Sequence, residues 1–214
     1  MTKKLFWEDP YRTALDTVVD SVDGNLVFLR ETIFYAFSGG QESDSGTIGV
    51  YPVLEAKQCG LEISYALEGT HNLNPGDPAH IQINWNRRYN LMRLHFAAEL
   101  ILELAYQNLT GIEKIGAHIA EDKARIDFFW PKNIAPHFPM LLSKASDIIG
   151  RDLPVISAFF DEPNEKRYWE IPGFARVSCG GTHIRRTGEV GSLELKRKNT
   201  GKGKERIEIF LKSS

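Results

Sequence analysis

Two residues suited to metal chemistry lie close together in the segment VSCGGTHIRRTGEVG, residues 177–191. Cys179 and His183 are separated by two glycines and a threonine. A thiolate and an imidazole are both good zinc ligands, and Gly180 and Gly181 allow a sharp turn between them. Because zinc needs two more ligands and short motifs match by chance, this pair alone indicates a metal site only weakly.

The strongest helical pattern of the chain offers two further ligands. Apolar residues recur at helical spacing between residues 91 and 105. His95 and Glu99 are four residues apart, so both side chains project from one face of this helix. The alternative is a solvated face, because His95, Glu99, Glu103 and Gln107 form an unbroken polar stripe. Spacing alone favours the solvated face.

The other histidines and the second cysteine are weaker candidates for the metal. His118 lies in a predicted strand with Glu121 and Asp122 nearby, and it is held in reserve as a fourth ligand. Cys59 is expected to be a buried, small apolar residue rather than a ligand.

Composition limits the class of protein that the chain encodes. Its 214 residues are 42% hydrophobic, enough for a core in one domain or two small ones. The net charge of −2 gives no global sign of nucleic-acid binding, so any such contact must come from local basic clusters. Two cysteines far apart in sequence favour a reducing, cytoplasmic location. No apolar run is long enough to predict a signal peptide or a membrane span.

The predicted secondary structure changes near residue 86 from short strands to a mixture of helices and strands. The first part predicts short strands, with a hairpin at Asp23-Gly24, and favours a small β-barrel. The second part mixes the long helix with a strand pair in IGAHIAEDKARIDFFW, a helix near 137–149 and a final hairpin. The predicted fold is α+β: an N-terminal barrel over 1–86, then an α+β domain with an antiparallel sheet over 87–214.

Four segments together resemble a known family. They are ETIFYAFSGGQESDSGTIG, RRYNLMRLHFAAELIL, SCGGTHIRRTGEVG and GKGKERIEIFL, and they are similar to motifs of the freestanding alanyl-tRNA editing proteins. These are relatives of the editing domain of alanyl-tRNA synthetase. Translation release factors also use Gly-Gly-Gln, but the flanking FY and DSG favour the editing family. The resemblance spans roughly residues 10–211, and its motifs occur in the expected order.

The resemblance implies an enzyme, a metal-dependent deacylase (an ester hydrolase) that protects translation fidelity. It would hydrolyse mischarged seryl- or glycyl-tRNA(Ala) with Zn²⁺ as cofactor, and its partner would be the aminoacylated acceptor end of tRNA, not a membrane or DNA. Residues 1–86 would form the barrel with the Gly-Gly-Gln loop, and residues 87–214 the editing domain. Two alternatives remain: a tRNA-binding module with a structural or degenerate metal site, and a deacylase for a different aminoacyl-tRNA.

The family motifs carry over to four metal positions, His95, Glu99, Cys179 and His183. The chain departs from the family at two of its helix positions. Glu99 replaces the second helix histidine, so it would bind the metal, act as the catalytic proton acceptor, or mark a weakened site. Phe96 replaces a small hydroxyl residue, which leaves the accepted amino acid open.

Further residues are candidates for contact with tRNA or the substrate. The glycine-rich segment forms a predicted flexible loop, and the last hairpin carries a basic cluster that could contact phosphates. The alternatives are an ordinary turn, which Asp44 would close, and a solvated hairpin tip. The candidate residues are Gly39, Gly40, Gln41, Asp44, Thr182, Arg185 and Arg206.

Overall fold

The structure, a computed structural model, describes residues 2–201 and 203–212. It is α+β with mostly antiparallel sheets and one long helix, as the sequence predicts. Backbone contacts divide the chain into two compact units. The first consists of Met1–Ser38 and Glu42–Tyr89, and the second of Gly39–Gln41 and Asn90–Ser214. The Gly-Gly-Gln segment therefore groups with the second unit, although its sequence neighbours on both sides belong to the first.

Strands dominate the first unit. Six of them are hydrogen-bonded neighbours in the order β2-β3-β7-β6-β5-β8, with β8 pairing back to β2, and every pair is antiparallel. A short parallel pair, β1 with β4, and a 3₁₀ turn at Leu5–Trp7 complete it. The strands are β1 Lys3–Lys4, β2 Ala14–Asp23, β3 Leu26–Leu29, β4 Glu31–Thr32, β5 Gly46–Ile48, β6 Tyr51–Cys59, β7 Glu62–Leu67 and β8 Pro78–Ile83.

Alternating burial along these strands builds the core of the first unit. In β8 every second residue is buried, ending with Ile81 and Ile83, which is the pattern of a strand with one covered face. Tyr65 is fully buried, and its hydroxyl lies 2.6 Å from the Thr32 hydroxyl, so its polar end is satisfied. The hairpin predicted at Asp23-Gly24 is confirmed between β2 and β3. Cys59 is exposed, so the expectation of a buried thiol there is wrong.

A fully buried ion pair ties together distant segments of the first unit. Arg88 Nε donates to Asp44 Oδ1 at 2.8 Å, and a second nitrogen donates to the other carboxylate oxygen and, at 2.6 Å, to the Ile33 carbonyl. Asp44 Oδ2 also accepts from the Tyr35 backbone N–H at 2.7 Å. Buried charges are tolerated when they are paired and hydrogen-bonded in this way. Asp44 is therefore buried because it holds these segments of the first unit together.

The second unit contains most of the long helix α1 and two antiparallel sheets. One sheet has the order β14-β15-β10-β9 and the other β11-β12-β13. The elements are α1 Trp85–Asn108, β9 Glu113–Ile119, β10 Ala124–Phe129, α2 Phe138–Gly150, β11 Ile156–Asp161, β12 Lys166–Ile171, β13 Ala175–Ser178, β14 Leu193–Gly201 and β15 Lys204–Leu211, with 3₁₀ turns at Ala135–His137 and Thr187–Val190. The sequence predicts most of these but misses β12 and β13.

Burial of the polar stripe on α1 changes along the helix. His95 is 4% exposed, Glu99 and Glu103 are half-buried, and Gln107 is exposed. The prediction that the polar stripe faces solvent is therefore correct only for the last turn of the helix. Every apolar residue of α1 from Leu91 to Leu102 is buried, so this part of the helix is covered on most of its faces. Within residues 2–201 and 203–212, no helix is long and apolar enough to cross a membrane.

Ion pairs on the sheet formed by β9, β10, β14 and β15 predict acid sensitivity. Hydrogen bonds from Arg197, at 2.5 Å, lower the pKa of Glu205, and a bond from Lys123 lowers that of Glu208. A carboxyl whose folded pKa is lowered stabilises the fold above its unfolded pKa, near 4.3, and loses that contribution as pH falls through the folded value. We expect Glu205→Gln to flatten the fall in unfolding free energy between about pH 5 and pH 3, measured by urea denaturation.

The matched control for this measurement is Glu194→Gln. Glu194 lies on β14 of the same sheet, its side chain is 44% exposed, and its contact with Lys196 is 3.5 Å long. Exposed pairs of this kind contribute little. Equal slopes for Glu205→Gln and the unmodified protein would show that Glu205 is not a source of the acid sensitivity.

Candidate metal centre

Three of the four predicted metal ligands converge in the second unit. Donor atoms of His95, Cys179 and His183 all lie within 4.8 Å of one another. His95 Nε2 is 3.1 Å and His183 Nε2 is 3.3 Å from Cys179 Sγ. The two imidazole rings stand edge to face with centroids 5.2 Å apart. Helix α1 supplies the first histidine, and the loop after β13 supplies the other two residues.

Gln41 fixes the orientation of the His95 ring. Its side chain has no exposed surface, and its Oε1 lies 2.6 Å from His95 Nδ1. The same oxygen accepts from the Thr182 backbone N–H at 3.4 Å, while Gln41 Nε2 donates to Thr182 Oγ1 at 2.9 Å. Since an amide oxygen can only accept, His95 must carry its proton on Nδ1. Its Nε2 lone pair therefore faces Cys179, where a metal would lie.

The glycine-rich segment reaches this position by lying against β9. Gly40 and Gly39 both have positive φ, and a Cβ on Gly40 would come within 2.7 Å of the Ala117 carbonyl oxygen. Ile119 N–H donates to the Gly40 carbonyl at 2.8 Å, and Gln41 forms a bridge with the same strand. The expected flexible loop is therefore wrong at Gln41, which is buried and fixed.

His183 is held from its other side by Ser157, a residue that the sequence analysis misses. The Ser157 hydroxyl on β11 lies 2.9 Å from His183 Nδ1, so His183 also presents Nε2 to the cysteine. Outer partners of this kind orient metal-binding histidines. No local sequence signal points to Ser157, because its role depends on where β11 lies relative to a loop 26 residues away.

The two glycines of the Cys179 loop have different roles. Neither has a positive φ, so the loop does not need glycine for an unusual backbone conformation. A Cβ on Gly181 would overlap His95 Cε1 and lie 2.8 Å from His95 Nδ1, whereas a Cβ on Gly180 would meet nothing within 4 Å. Only Gly181 is required by packing, because the His95 ring lies directly against it.

Burial sets the protonation of the three converging residues. It lowers the pKa of His95 to about 4, with Lys114 adding to the effect, and lowers that of His183 well below its usual range. Burial, together with the charge of Glu99, raises the pKa of the Cys179 thiol to about 12. Without a cation, the site thus holds two neutral imidazoles and a protonated thiol at neutral pH. A bound cation would compensate the thiolate charge and release the thiol proton.

Glu99 lies beside the cluster rather than in it. Its Oε1 is 3.9 Å from His95 Nε2, and its Oε2 accepts a hydrogen bond from Trp169 Nε1 at 3.2 Å. Burial raises the pKa of this carboxyl, and the indole bond opposes that change. His118, the reserve ligand, is not a member of the cluster. Phe96 is fully buried and packs edge to face on Trp169, with ring centroids 5.3 Å apart.

The donor set fits zinc. In tetrahedral zinc sites with Cys and His ligands, sulfur and nitrogen donors lie about 3.5 Å apart, which follows from bond lengths of about 2.3 and 2.0 Å. The separations of 3.1 and 3.3 Å are close to that value, so a small adjustment would admit the ion. Both histidines also carry the outer hydrogen bonds that zinc ligands usually make.

The remaining predicted contact residues occupy varied positions. Thr182 is 1% exposed and bonded to Gln41, and Asp44 is buried with Arg88 in the first unit. Arg185, two residues after His183 in the sequence, is exposed, whereas Arg206 is half-buried and donates to Asp127 at 2.5 Å. Among its described residues, the hairpin of β14 and β15 carries exposed basic side chains at Lys196, Arg197, Lys198 and Lys204, and Lys202 of the predicted basic cluster lies outside the described residues.

Comparison with known proteins places the chain among relatives of similar length. It is 30% identical to the alanyl-tRNA editing protein AlaX-M of Pyrococcus horikoshii, over 99% of this chain and 98% of that protein. The chain belongs to the alanyl-tRNA editing protein family. AlaX-M of Methanosarcina barkeri is a further member, 29% identical over 99% of both chains. The family resemblance of the sequence motifs is thereby confirmed.

The chain is also similar to part of a longer enzyme. The chain is 32% identical to the alanine–tRNA ligase of Ignicoccus hospitalis, over 91% of this chain but only 24% of the ligase. A family model described as the threonyl and alanyl tRNA synthetase second additional domain matches residues 170–208. That match includes Cys179 and His183 and most of the last hairpin, so two members of the cluster lie within it.

Proposed function

We propose that this protein hydrolyses mischarged aminoacyl-tRNA, with seryl- or glycyl-tRNA(Ala) as substrates, at a zinc centre. The observation that carries the proposal is the convergence of His95, Cys179 and His183 within 4.8 Å. Membership of a family whose relatives are named alanyl-tRNA editing proteins supports the substrate class. Editing by a second site is needed because small amino acids differ too little in binding energy for one site to separate them.

The reaction is hydrolysis of an ester. Water adds to the carbonyl carbon, the ester C–O bond breaks, and the terminal ribose oxygen of the tRNA leaves with a proton. His95, Cys179 and His183 would hold the zinc ion, with Glu99 as fourth ligand. When bound, zinc supplies Lewis-acid polarisation of a carbonyl and a lowered pKa of water.

The protein's own groups prepare this site in advance. Gln41 and Ser157 hold the two imidazoles with Nε2 facing Cys179, so little reorganisation is needed on metal binding. Glu99, if it is not a ligand, would offer Oε1, which lies 3.9 Å from His95 Nε2, as a proton acceptor for the attacking water. The buried setting of the histidines keeps them neutral and available as ligands at physiological pH.

The tRNA would be held by basic side chains in the same unit. Arg185 is exposed two residues after His183, and the exposed lysines of the last hairpin add positive charge. Lysine and arginine contacts to phosphates supply most sequence-independent affinity for nucleic acids and weaken steeply with salt. We expect binding of tRNA to fall as salt is raised, despite the net charge of −2.

The experiment that tests the proposal measures release of labelled amino acid from seryl- and glycyl-tRNA(Ala). Purified protein loaded with zinc is compared with protein treated with a chelator, then with the chelated protein after zinc is restored. Release by the loaded protein alone, with recovery on restoring zinc, is expected. No release by fully loaded protein from either substrate would overturn the proposal, and an accompanying panel of other aminoacyl-tRNAs would identify a different substrate.

A second candidate function is favoured by one observation. Glu99 lies outside the three-residue cluster, so the site resembles a metal centre that has lost a ligand. The chain would then be a tRNA-binding module with a structural or degenerate metal site. Glu99→His separates the two: a faster deacylation indicates a catalytic but weakened site, and a slower one gives the glutamate a role of its own. Tight tRNA binding with no hydrolysis by either protein supports the module.

Substitution of the two loop glycines gives a paired prediction for metal affinity. We expect Gly181→Ala to weaken zinc binding by at least about tenfold, because the added methyl displaces the His95 ring from its place beside Gln41. Gly180→Ala is the matched control, with open space at that position, and its affinity is expected to stay close to that of the unmodified protein. Competition with a chromogenic chelator measures both. Equal affinities for the two variants would contradict the packing argument.

A further inference from the structure

Trp169 on β12 donates a hydrogen bond to Glu99, the residue that departs from the family pattern. Its side chain is fully buried, and its Nε1–H donates to Glu99 Oε2 at 3.2 Å. An indole nitrogen can only donate, and a buried one normally requires an acceptor. Glu99 Oε2 is therefore engaged by the indole at the edge of the metal cluster.

The hydrogen bond engages only one of the two carboxylate oxygens of Glu99. The other oxygen, Oε1, lies 3.9 Å from His95 Nε2, which is the nitrogen that faces Cys179. Nitrogen and oxygen ligands of a tetrahedral zinc ion are about 3.3 Å apart, as their bond lengths of about 2.0–2.2 Å require. Oε1 is thus slightly farther from His95 Nε2 than a shared zinc ion requires, and because Glu99 lies outside the group of donors that are all within 4.8 Å of one another, its side chain must shift to complete the site.

The sheet that carries Trp169 also carries the residue that orients His183. Trp169 on β12 is paired in register with Ser157 on β11. Directly opposed residues of an antiparallel pair project from the same face. One residue of this pair holds His183 Nδ1 at 2.9 Å, and the other holds Glu99. Phe96 packs on the Trp169 ring at 5.3 Å, which further restricts its rotation.

We propose that Trp169 is a positioning residue that limits Glu99 to binding the metal through Oε1 alone. The inference rests on the zinc centre proposed above and adds the way in which its fourth ligand is held. It also explains how a glutamate can stand where the family has histidine, because a carboxylate with one oxygen engaged offers a single donor atom, as an imidazole does.

The test uses Co²⁺ as a spectroscopic substitute for zinc in the full chain. Trp169→Phe keeps an aromatic ring but removes the donor, and we expect it to weaken Co²⁺ and Zn²⁺ binding by about tenfold or more. We also expect its visible cobalt absorption to change as the coordination of Glu99 changes. Trp130→Phe is the matched control, since the Trp130 indole N–H is buried with no hydrogen-bond partner among the described residues. Its affinity and spectrum are expected to match the unmodified protein.

A double variant separates positioning from general damage to the fold. In a Glu99→Gln background, Trp169→Phe is expected to cause no further loss of metal affinity. An equal loss in both backgrounds, or an unchanged affinity and spectrum in Trp169→Phe alone, would overturn the inference while leaving the proposed function intact. Failure of the unmodified protein to bind either metal would overturn the proposed function, and the inference with it.

A measurement on the unmodified protein covers the case in which Trp169→Phe does not fold. The chain has four tryptophans, so protein labelled with ¹⁵N-tryptophan gives four indole signals. Phenylalanine variants of Trp7, Trp85 and Trp130 assign three of them, and Trp169 follows by difference. The Trp169 signal is expected to move on addition of zinc while that of Trp130 stays. A Trp169 signal unaffected by bound zinc would overturn the inference.

Discussion

Cys179→Ser is expected to abolish stoichiometric zinc binding and to slow hydrolysis of seryl-tRNA(Ala) by about 10³-fold. The thiolate is the only anionic donor in the three-residue cluster, and a neutral serine hydroxyl is a poor replacement. Metal catalysis contributes several kcal/mol of transition-state stabilisation, and about 4 kcal/mol corresponds to this factor. Elemental analysis of the purified variant and a single-turnover deacylation assay measure the two effects.

Cys59→Ser is the control for that measurement. Cys59 is exposed at the end of β6 and is not a member of the cluster, so the same chemical change is made at a cysteine outside the donor set. We expect its zinc content and its rate to equal those of the unmodified protein. A Cys179→Ser variant that keeps full zinc and full activity would rule out the thiolate as a ligand.

Asp44→Ala is expected to lower the free energy of unfolding by about 3–5 kcal/mol. The substitution leaves the Arg88 guanidinium buried without its carboxylate, and an uncompensated buried charge is strongly destabilising. The Tyr35 backbone N–H loses its acceptor as well. Urea denaturation measures the change, and the denaturation midpoint alone gives its direction.

Two variants show whether this loss of stability comes from the unpaired, buried Arg88 guanidinium. Adding Arg88→Met to Asp44→Ala is expected to restore part of the stability, because the buried guanidinium is then removed. Asp16→Ala removes a carboxylate whose side chain is 92% exposed beside His80, and its expected cost is below about 1 kcal/mol. A loss in Asp44→Ala no larger than that in Asp16→Ala would contradict the argument.

The sequence identifies the members of the three-residue cluster better than their surroundings. Cys179 and His183 are weak candidates from chemistry and spacing, whereas spacing alone places His95 on a solvated face, and the family resemblance is what makes all three predicted metal positions. Whether His95 faces water or the interior depends on what covers α1, and local periodicity carries no information on that. The polar stripe on α1 is buried at His95 and exposed at Gln107, whereas spacing predicts the same solvent exposure along its whole length.

Because the sequence does not predict β12, it also does not predict that Ser157 and Trp169 contact the cluster and Glu99. In β12 the buried positions are Arg167, Trp169 and Ile171, so an inward-facing arginine interrupts the apolar alternation that marks a strand. Without β12 there is no register between Ser157 and Trp169, and neither residue can be assigned a partner. A search for alternation that tolerates one buried arginine would have found the strand.

The grouping of residues 39–41 with the second unit limits how the protein can be divided. The boundary between the two units at residue 90, inside α1, invites a shortened protein that keeps His95, Cys179 and His183. Such a fragment would lack the Gln41 amide, so the His95 ring could turn and place its proton on either nitrogen. Catalytic fragments or fusions based on this fold therefore need a substitute hydrogen-bond acceptor at Nδ1, supplied by redesign or by a separate peptide that restores the missing contact.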